Sequence, residues 1–223
     1  YKTSNGNLIV SYAGGVSAYG KYWGSEIAAR GDGFMHTNMY SALSPTVEKV
    51  TLQPLSVMSI PLQSNFVGKS LGSQSGKYLA VGYDHISAIA QGIPALNPSV
   101  SITDGINMCR VDDLPNFSGT PGPFDMTFSP KDDTLYYILD EYVGSTAQQT
   151  LFVIDPANCT IKEQNRFPQN TLIPGPAKIT PDGRYFVAVN GTKIYAIDLL
   201  TYKVTVTDTG KNQTFDVGIL QTT

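Results

Sequence analysis

The stretch Pro174-Gly-Pro-Ala-Lys-Ile-Thr-Pro-Asp-Gly-Arg-Tyr-Phe-Val-Ala-Val-Asn-Gly-Thr-Lys-Ile-Tyr-Ala-Ile-Asp-Leu-Leu-Thr-Tyr-Lys-Val-Thr-Val-Thr-Asp208 decides the fold. It holds four short β-type runs, each closed by a turn signal. Ala177 to Thr180 is followed by the turn Pro181-Asp182-Gly183, and Tyr185 to Val189 by Asn190-Gly191, a strong two-residue hairpin signal. Lys193 to Asp198 leads through Leu199 to Thr201 into Tyr202 to Asp208. Four antiparallel strands in about 35 residues with tight turns describe one blade of a β-propeller.

The same grammar recurs upstream. A polar turn precedes an apolar run at Ser4-Asn5-Gly6-Asn7, at Gln74-Ser75-Gly76-Lys77 and at Ser129-Pro130-Lys131-Asp132-Asp133. The markers Gly6, Gly76, Asp133 and Gly183 are separated by 70, 57 and 50 residues. Blades repeat at roughly 40 to 50 residues, so the first two intervals imply insertions. The turn between inner strands wants Gly or Asp at left-handed angles, and the strand after it is apolar because both its faces are buried. The expected architecture is therefore all-β: one propeller domain over 1–223, with blades near 1–65, 66–120, 121–172 and 173–210. Gly-Pro pairs, as at Gly122-Pro123 and Gly175-Pro176, are expected to form rigid entries just before the innermost strands.

Charged residues make up 15% of the 223, against roughly 25% in ordinary soluble domains. The surface is polar without being ionic. A net charge of −3 and the absence of any Lys/Arg run argue against a nucleic-acid partner. No apolar run approaches the roughly 18 residues of a membrane span. The chain begins at Tyr1, which is expected for a mature form or a piece of something longer. Sequons at Asn116, Asn158, Asn190 and Asn212 fall at turns or a chain end, where glycans fit. These features point to an extracellular or cell-surface glycoprotein. Cys109 and Cys159 are the only cysteines, expected as a disulfide between neighbouring blades in an oxidising compartment; two buried free thiols are the alternative.

Two segments stand apart from the repeat. Ala13 to Tyr40 is rich in glycine and aromatics, and reads as a long ordered loop of the first blade; Tyr19, Tyr22 and Trp23 make it the expected contact surface for a protein or glycan. Phe215-Asp216-Val217-Gly218-Ile219-Leu220 parallels Phe124-Asp125-Met126-Thr127-Phe128. It is expected to supply the missing inner strand of the first blade, with Phe215, Val217 and Ile219 as the assembly strand. That strand either closes its own ring or is donated to another copy, and donation would propagate into a fibre or layer.

Phe124 to Pro130 with Leu135-Tyr136-Tyr137, and Ile179 to Tyr185 with Ile194 to Asp198, resemble the repeats of YVTN, lactonase-like and WD40-like propellers. The resemblance is clearest over residues 122–208 and implies a propeller fold. Such proteins include lactone hydrolases, surface-layer proteins and interaction scaffolds.

No catalytic residue is assigned. Asp155 and Asp198 recur at equivalent blade positions and are read as turn caps. Arg30-Gly31-Asp32 is read as a plain turn. Asp112-Asp113, Asp132-Asp133 and Asp140-Glu141 are adjacent in sequence and so point opposite ways on a strand. His36 and His85 lack metal-ligand spacing to either cysteine, and no metal or cofactor is expected. The leading reading is a structural or interaction module with a protein partner or self-association. A lactonase-type hydrolase is the alternative, and a glycan-binding propeller the second.

Overall fold

The computed structural model describes residues 28–38, 45–62, 67–83, 98–112, 114, 120–143, 146–167 and 177–211 of the chain. All regular structure among them is β. The first sheet runs in the order β1 (Ala28–Arg30), β2 (Gly33–Asn38), β3 (Thr46–Leu52) and β4 (Leu55–Pro61). The second contains β5 (Val67–Gly72), β6 (Leu79–Tyr83), β7 (Val100–Thr103) and β8 (Met108–Val111). The third contains β9 (Thr120–Phe128), β10 (Leu135–Val143), β11 (Thr146–Asp155) and β12 (Thr160–Phe167). The fourth contains β13 (Ala177–Ile179), β14 (Tyr185–Asn190), β15 (Lys193–Asp198) and β16 (Val204–Asp208). Every pairing is antiparallel between consecutive strands, so each sheet is a propeller blade.

The turn grammar has a direct physical basis. Gly76, Asp133 and Gly183 have φ of 71°, 59° and 72°, all in the left-handed region. Each lies in the turn between its blade's first two strands, where Ser73, Ser129 and Thr180 donate their N–H groups to the carbonyls of Tyr78, Thr134 and Tyr185. In the second and third sheets the strand that follows is buried on both sides. On β10, Tyr137 and Leu139 pack towards the second sheet, while Ile138 packs towards the fourth. Leu71, Ile102, Met126 and Phe152 complete the first of these interfaces; Leu151, Phe186, Tyr195 and Ile197 complete the second. Burying each such side chain stabilises by about 1.5–3 kcal/mol.

Sheets one and two, two and three, and three and four pack in sequence through their inner strands. Among the described residues no comparable packing joins the fourth sheet to the first. The sheets form an open row.

Two expectations are corrected here. Residues 28–38, read as part of a long loop, form the β1–β2 hairpin, with Gly31 and Asp32 as its turn. The first sheet thus draws four strands from 28–61, and the C-terminal strand expected to complete it is not needed for that. Gly33 marks the reason: a Cβ there would lie 1.9 Å from the Val50 carbonyl oxygen, so the glycine serves close strand approach rather than looping. The second correction concerns proline. Pro121 and Pro123 lie within β9 rather than ahead of it. β9 is an edge of its sheet, paired only with β10, so a missing N–H can be accommodated on its open side.

Candidate functional site

The strand directions sort the polar residues onto two opposite faces of the row of sheets. Turns between first and second strands, and between third and fourth strands, lie on one face. There the aspartates act as caps. Asp155 Oδ1 accepts the Ala157 N–H at 3.0 Å, and Asp198 Oδ1 accepts that of Leu200 at 2.9 Å. Hydrogen bonds from Ala157 and Lys162 hold the Asp155 carboxyl below its usual range; a bidentate pair with Arg184 does so for Asp198. Asp132 caps Thr134, and Asp133 accepts from the Ser75 hydroxyl at 2.6 Å.

The opposite face, where chains enter the inner strands, collects buried polar groups. Lys69 on β5 pairs with Asp125 on β9 and also donates to the Met126 carbonyl at 3.1 Å. The Met126 N–H donates to the same carboxylate at 2.8 Å, and the Ala177 backbone of β13 acts on it from the far side. The pair therefore joins the second and third sheets through their first strands. Burial raises its pKa, while the Lys69 ammonium opposes that rise.

Asp140 lies two positions further along β10, where β9–β10 pairing slips by a bulge between Leu139 and Glu141. Its side chain is nearly inaccessible, at 2% exposure, and Oδ1 has no hydrogen-bond partner among the described residues. Burial pushes its pKa from 3.8 to about 6, only partly offset by a hydrogen bond with Gln149 on β11. Such a group takes up a proton on folding, so its stabilising effect is complete below about pH 4 and is lost as pH rises through about 6. At pH 7 the charged carboxylate costs about 2–3 kcal/mol. Asp140→Asn is therefore expected to stabilise the protein at pH 7 and to flatten stability between pH 4 and 6, as read by urea unfolding across pH. An unchanged pH profile would contradict the assignment.

In the first sheet, a ring nitrogen of His36 lies 3.1 Å from the Thr37 carbonyl, to which it can only donate. The other nitrogen faces Glu48 at 3.5 Å, and Asn38 donates to Glu48 at 2.7 Å. Burial lowers the His36 pKa and raises that of Glu48. Between sheets one and two, the Thr37 and Ser70 hydroxyls meet at 2.8 Å, and within the second sheet the buried Tyr83 hydroxyl meets that of Ser101 at 2.8 Å. The Arg110 guanidinium lies 5.4 Å from the Tyr83 ring centroid and donates to Ser99. Among the described residues no three His, Cys, Asp or Glu side chains converge as metal ligands.

Cys109 and Cys159 are joined in a disulfide with a Cα–Cα distance of 5.8 Å, tying the second sheet to the β11–β12 turn of the third. Asn158 is exposed in that turn, and Asn190 ends β14. Asn116, Asn212, the contact loop with Tyr19, Tyr22 and Trp23, and the strand with Phe215, Val217 and Ile219 lie outside the described residues. Sequence reasoning missed the Lys69–Asp125 pair, which spans 56 positions, and the burial of Asp140.

The comparisons match this architecture. Apo AztD from Citrobacter koseri aligns with a TM-score of 0.53 at 14% identity, over 85% of this chain and 48% of that one. A putative 6-phosphogluconolactonase from Bacteroides uniformis aligns with a TM-score of 0.51 at 14% identity, over 88% and 58%. The periplasmic gluconolactonase PpgL of Pseudomonas aeruginosa aligns at 0.41 and 17% identity, over 86% and 71%. The chain thus spans about half the length of the first two. No protein-family model and no curated protein matches the sequence. The likeness is one of fold, that of a β-propeller.

Proposed function

We propose that the protein works outside the cytoplasm as an interaction and assembly module built on propeller blades. One observation carries this reading. On the fourth sheet, Val187, Val189, Ile194 and Ala196 face away from the third sheet and remain only half-buried. The corresponding side of the third sheet is packed against its neighbour. An apolar sheet face left partly open is a surface for another strand or sheet. The terminal strand with Phe215, Val217 and Ile219 suits it, because its Phe-Asp pattern repeats that of β9 and it follows β16 within a few residues. The strand comes from the same chain or from a neighbour. The disulfide supports a location in an oxidising compartment.

Deleting residues after Gly210 tests this, with light scattering and electron microscopy on both forms. A folded protein that no longer assembles supports donation between copies; a monomer that loses stability supports closure within the chain. If the deletion changes neither assembly nor stability, the terminal-strand reading fails.

A lactonase-type hydrolase is the second reading. Its candidate acid–base group is Asp140, a carboxyl with a raised pKa beside a bulge, which would have to be uncovered to reach a substrate. A screen of lactones against the protein and Asp140→Asn separates it from the first. The glycan-binding reading rests on Tyr19, Tyr22 and Trp23, and a glycan array tests it.

A further inference from the structure

The outermost strands of the four sheets differ in how they meet solvent. β8 carries Arg110, β12 carries Lys162, Glu163 and Arg166, and β16 ends in Asp208. Charges of this kind blunt an open edge against pairing with another chain. β4, Leu55-Ser-Val-Met-Ser-Ile-Pro61, carries none. It is also open on both faces: Leu55 is 60% exposed and Val57 47%, and Met58, on the other side of the pleat, is 42%.

Among the described residues no strand pairs with its outer side. The Leu52 N–H donates to Asp32 O on the β2 side at 2.8 Å, and the Leu62 N–H donates to Pro45 O at 2.9 Å. Since these groups alternate along a strand, Ser56, Met58 and Ile60 turn theirs towards β3. Leu55, Val57 and Ser59 therefore turn theirs outward. We propose that β4 is the docking edge for a second copy of this chain, pairing antiparallel across a two-fold axis at Met58.

The register follows from that parity. Groups that point outward must meet each other, so Val57 exchanges hydrogen bonds with Ser59 of the second copy. Met58 then faces Met58 as a non-hydrogen-bonded pair. This register overlaps all seven residues of the strand and brings no like charges together. Pairing of one patch with itself closes as a dimer and cannot propagate. The inference is independent of the terminal strand, and joins two first sheets into one continuous sheet.

The test uses the full chain in unglycosylated form, by sedimentation velocity over a concentration series. The expected wild-type mass is twice the 24.0 kDa of the chain. Met58→Lys places two like charges on the axis and Val57→Lys places two beside it, and each is expected to return the mass to 24.0 kDa with unchanged circular dichroism. Should either fail to fold, Met58→Cys gives a second readout. Facing Cα atoms of such a pair lie about 4.5 Å apart, within disulfide range. Both native cysteines are already paired, so mild oxidation is expected to give a covalent dimer on a non-reducing gel. The same cysteine placed at Val206 on β16 is expected to give none. A wild type that stays monomeric at all concentrations overturns the proposal. So does a dimer indifferent to both lysines and uncrosslinked by Met58→Cys. A monomer that dimerises only after deletion beyond Gly210 would mean that the chain's own tail occupies β4, which also overturns it.

Discussion

Asp125→Ala is expected to destabilise the protein by about 3–5 kcal/mol at pH 7, the usual cost of leaving one partner of a buried ion pair uncompensated. The Lys69 ammonium loses its counter-charge and keeps the Met126 carbonyl, and the Met126 N–H loses its acceptor. The midpoint of urea unfolding should fall with little change in slope, because the surface exposed on unfolding is the same. The double variant Lys69→Met with Asp125→Leu is expected to recover most of the loss, since apolar side chains of similar volume often replace a buried pair at no cost. A single variant within about 1 kcal/mol of wild type would show that the pair does not hold the sheets together.

The second large effect concerns the disulfide. Replacing Cys109 and Cys159 by serine opens a loop of 50 residues, which on the chain-entropy account removes roughly 4 kcal/mol. Reduction of the wild type should give a similar loss in thermal unfolding. The effect is largest where two sheets meet, because Cys159 packs beside the core formed by Met126, Tyr137 and Phe152. If the reduced protein melts within a degree or two of the oxidised one, packing between the second and third sheets suffices without the link.

The last three blades were legible because their chemistry is local. A left-handed turn residue is most often Gly, Asn or Asp, and Gly76, Asp133 and Gly183 sit where the chain needs that angle. The apolar runs after them are continuous because both faces of β6 and β10 are covered. The β1–β2 hairpin hid behind its glycines, since Gly33 serves close approach to Val50 and looks like loop composition. The Lys69–Asp125 pair was invisible for a different reason. It depends on two first strands from separate sheets meeting, and no local pattern encodes that. Asp140 resembles any strand carboxylate until the bulge beside it is known. Asp155 and Asp198, by contrast, were read as caps from their recurrence alone, and their backbone hydrogen bonds agree.

The turn between β11 and β12 carries an implication for how the protein matures. Asn158-Cys159-Thr160 is at once an acceptor tripeptide for glycosylation and the anchor of the disulfide. In the folded protein Cys159 has a φ of 55°, and Asn158 Oδ1 accepts the Thr160 N–H at 3.2 Å and the Thr160 hydroxyl at 2.6 Å. A transferase that must draw this tripeptide into an extended shape is opposed by the closed turn. Were a sugar added at Asn158, the closed turn would favour its attachment while Cys159 is still a thiol.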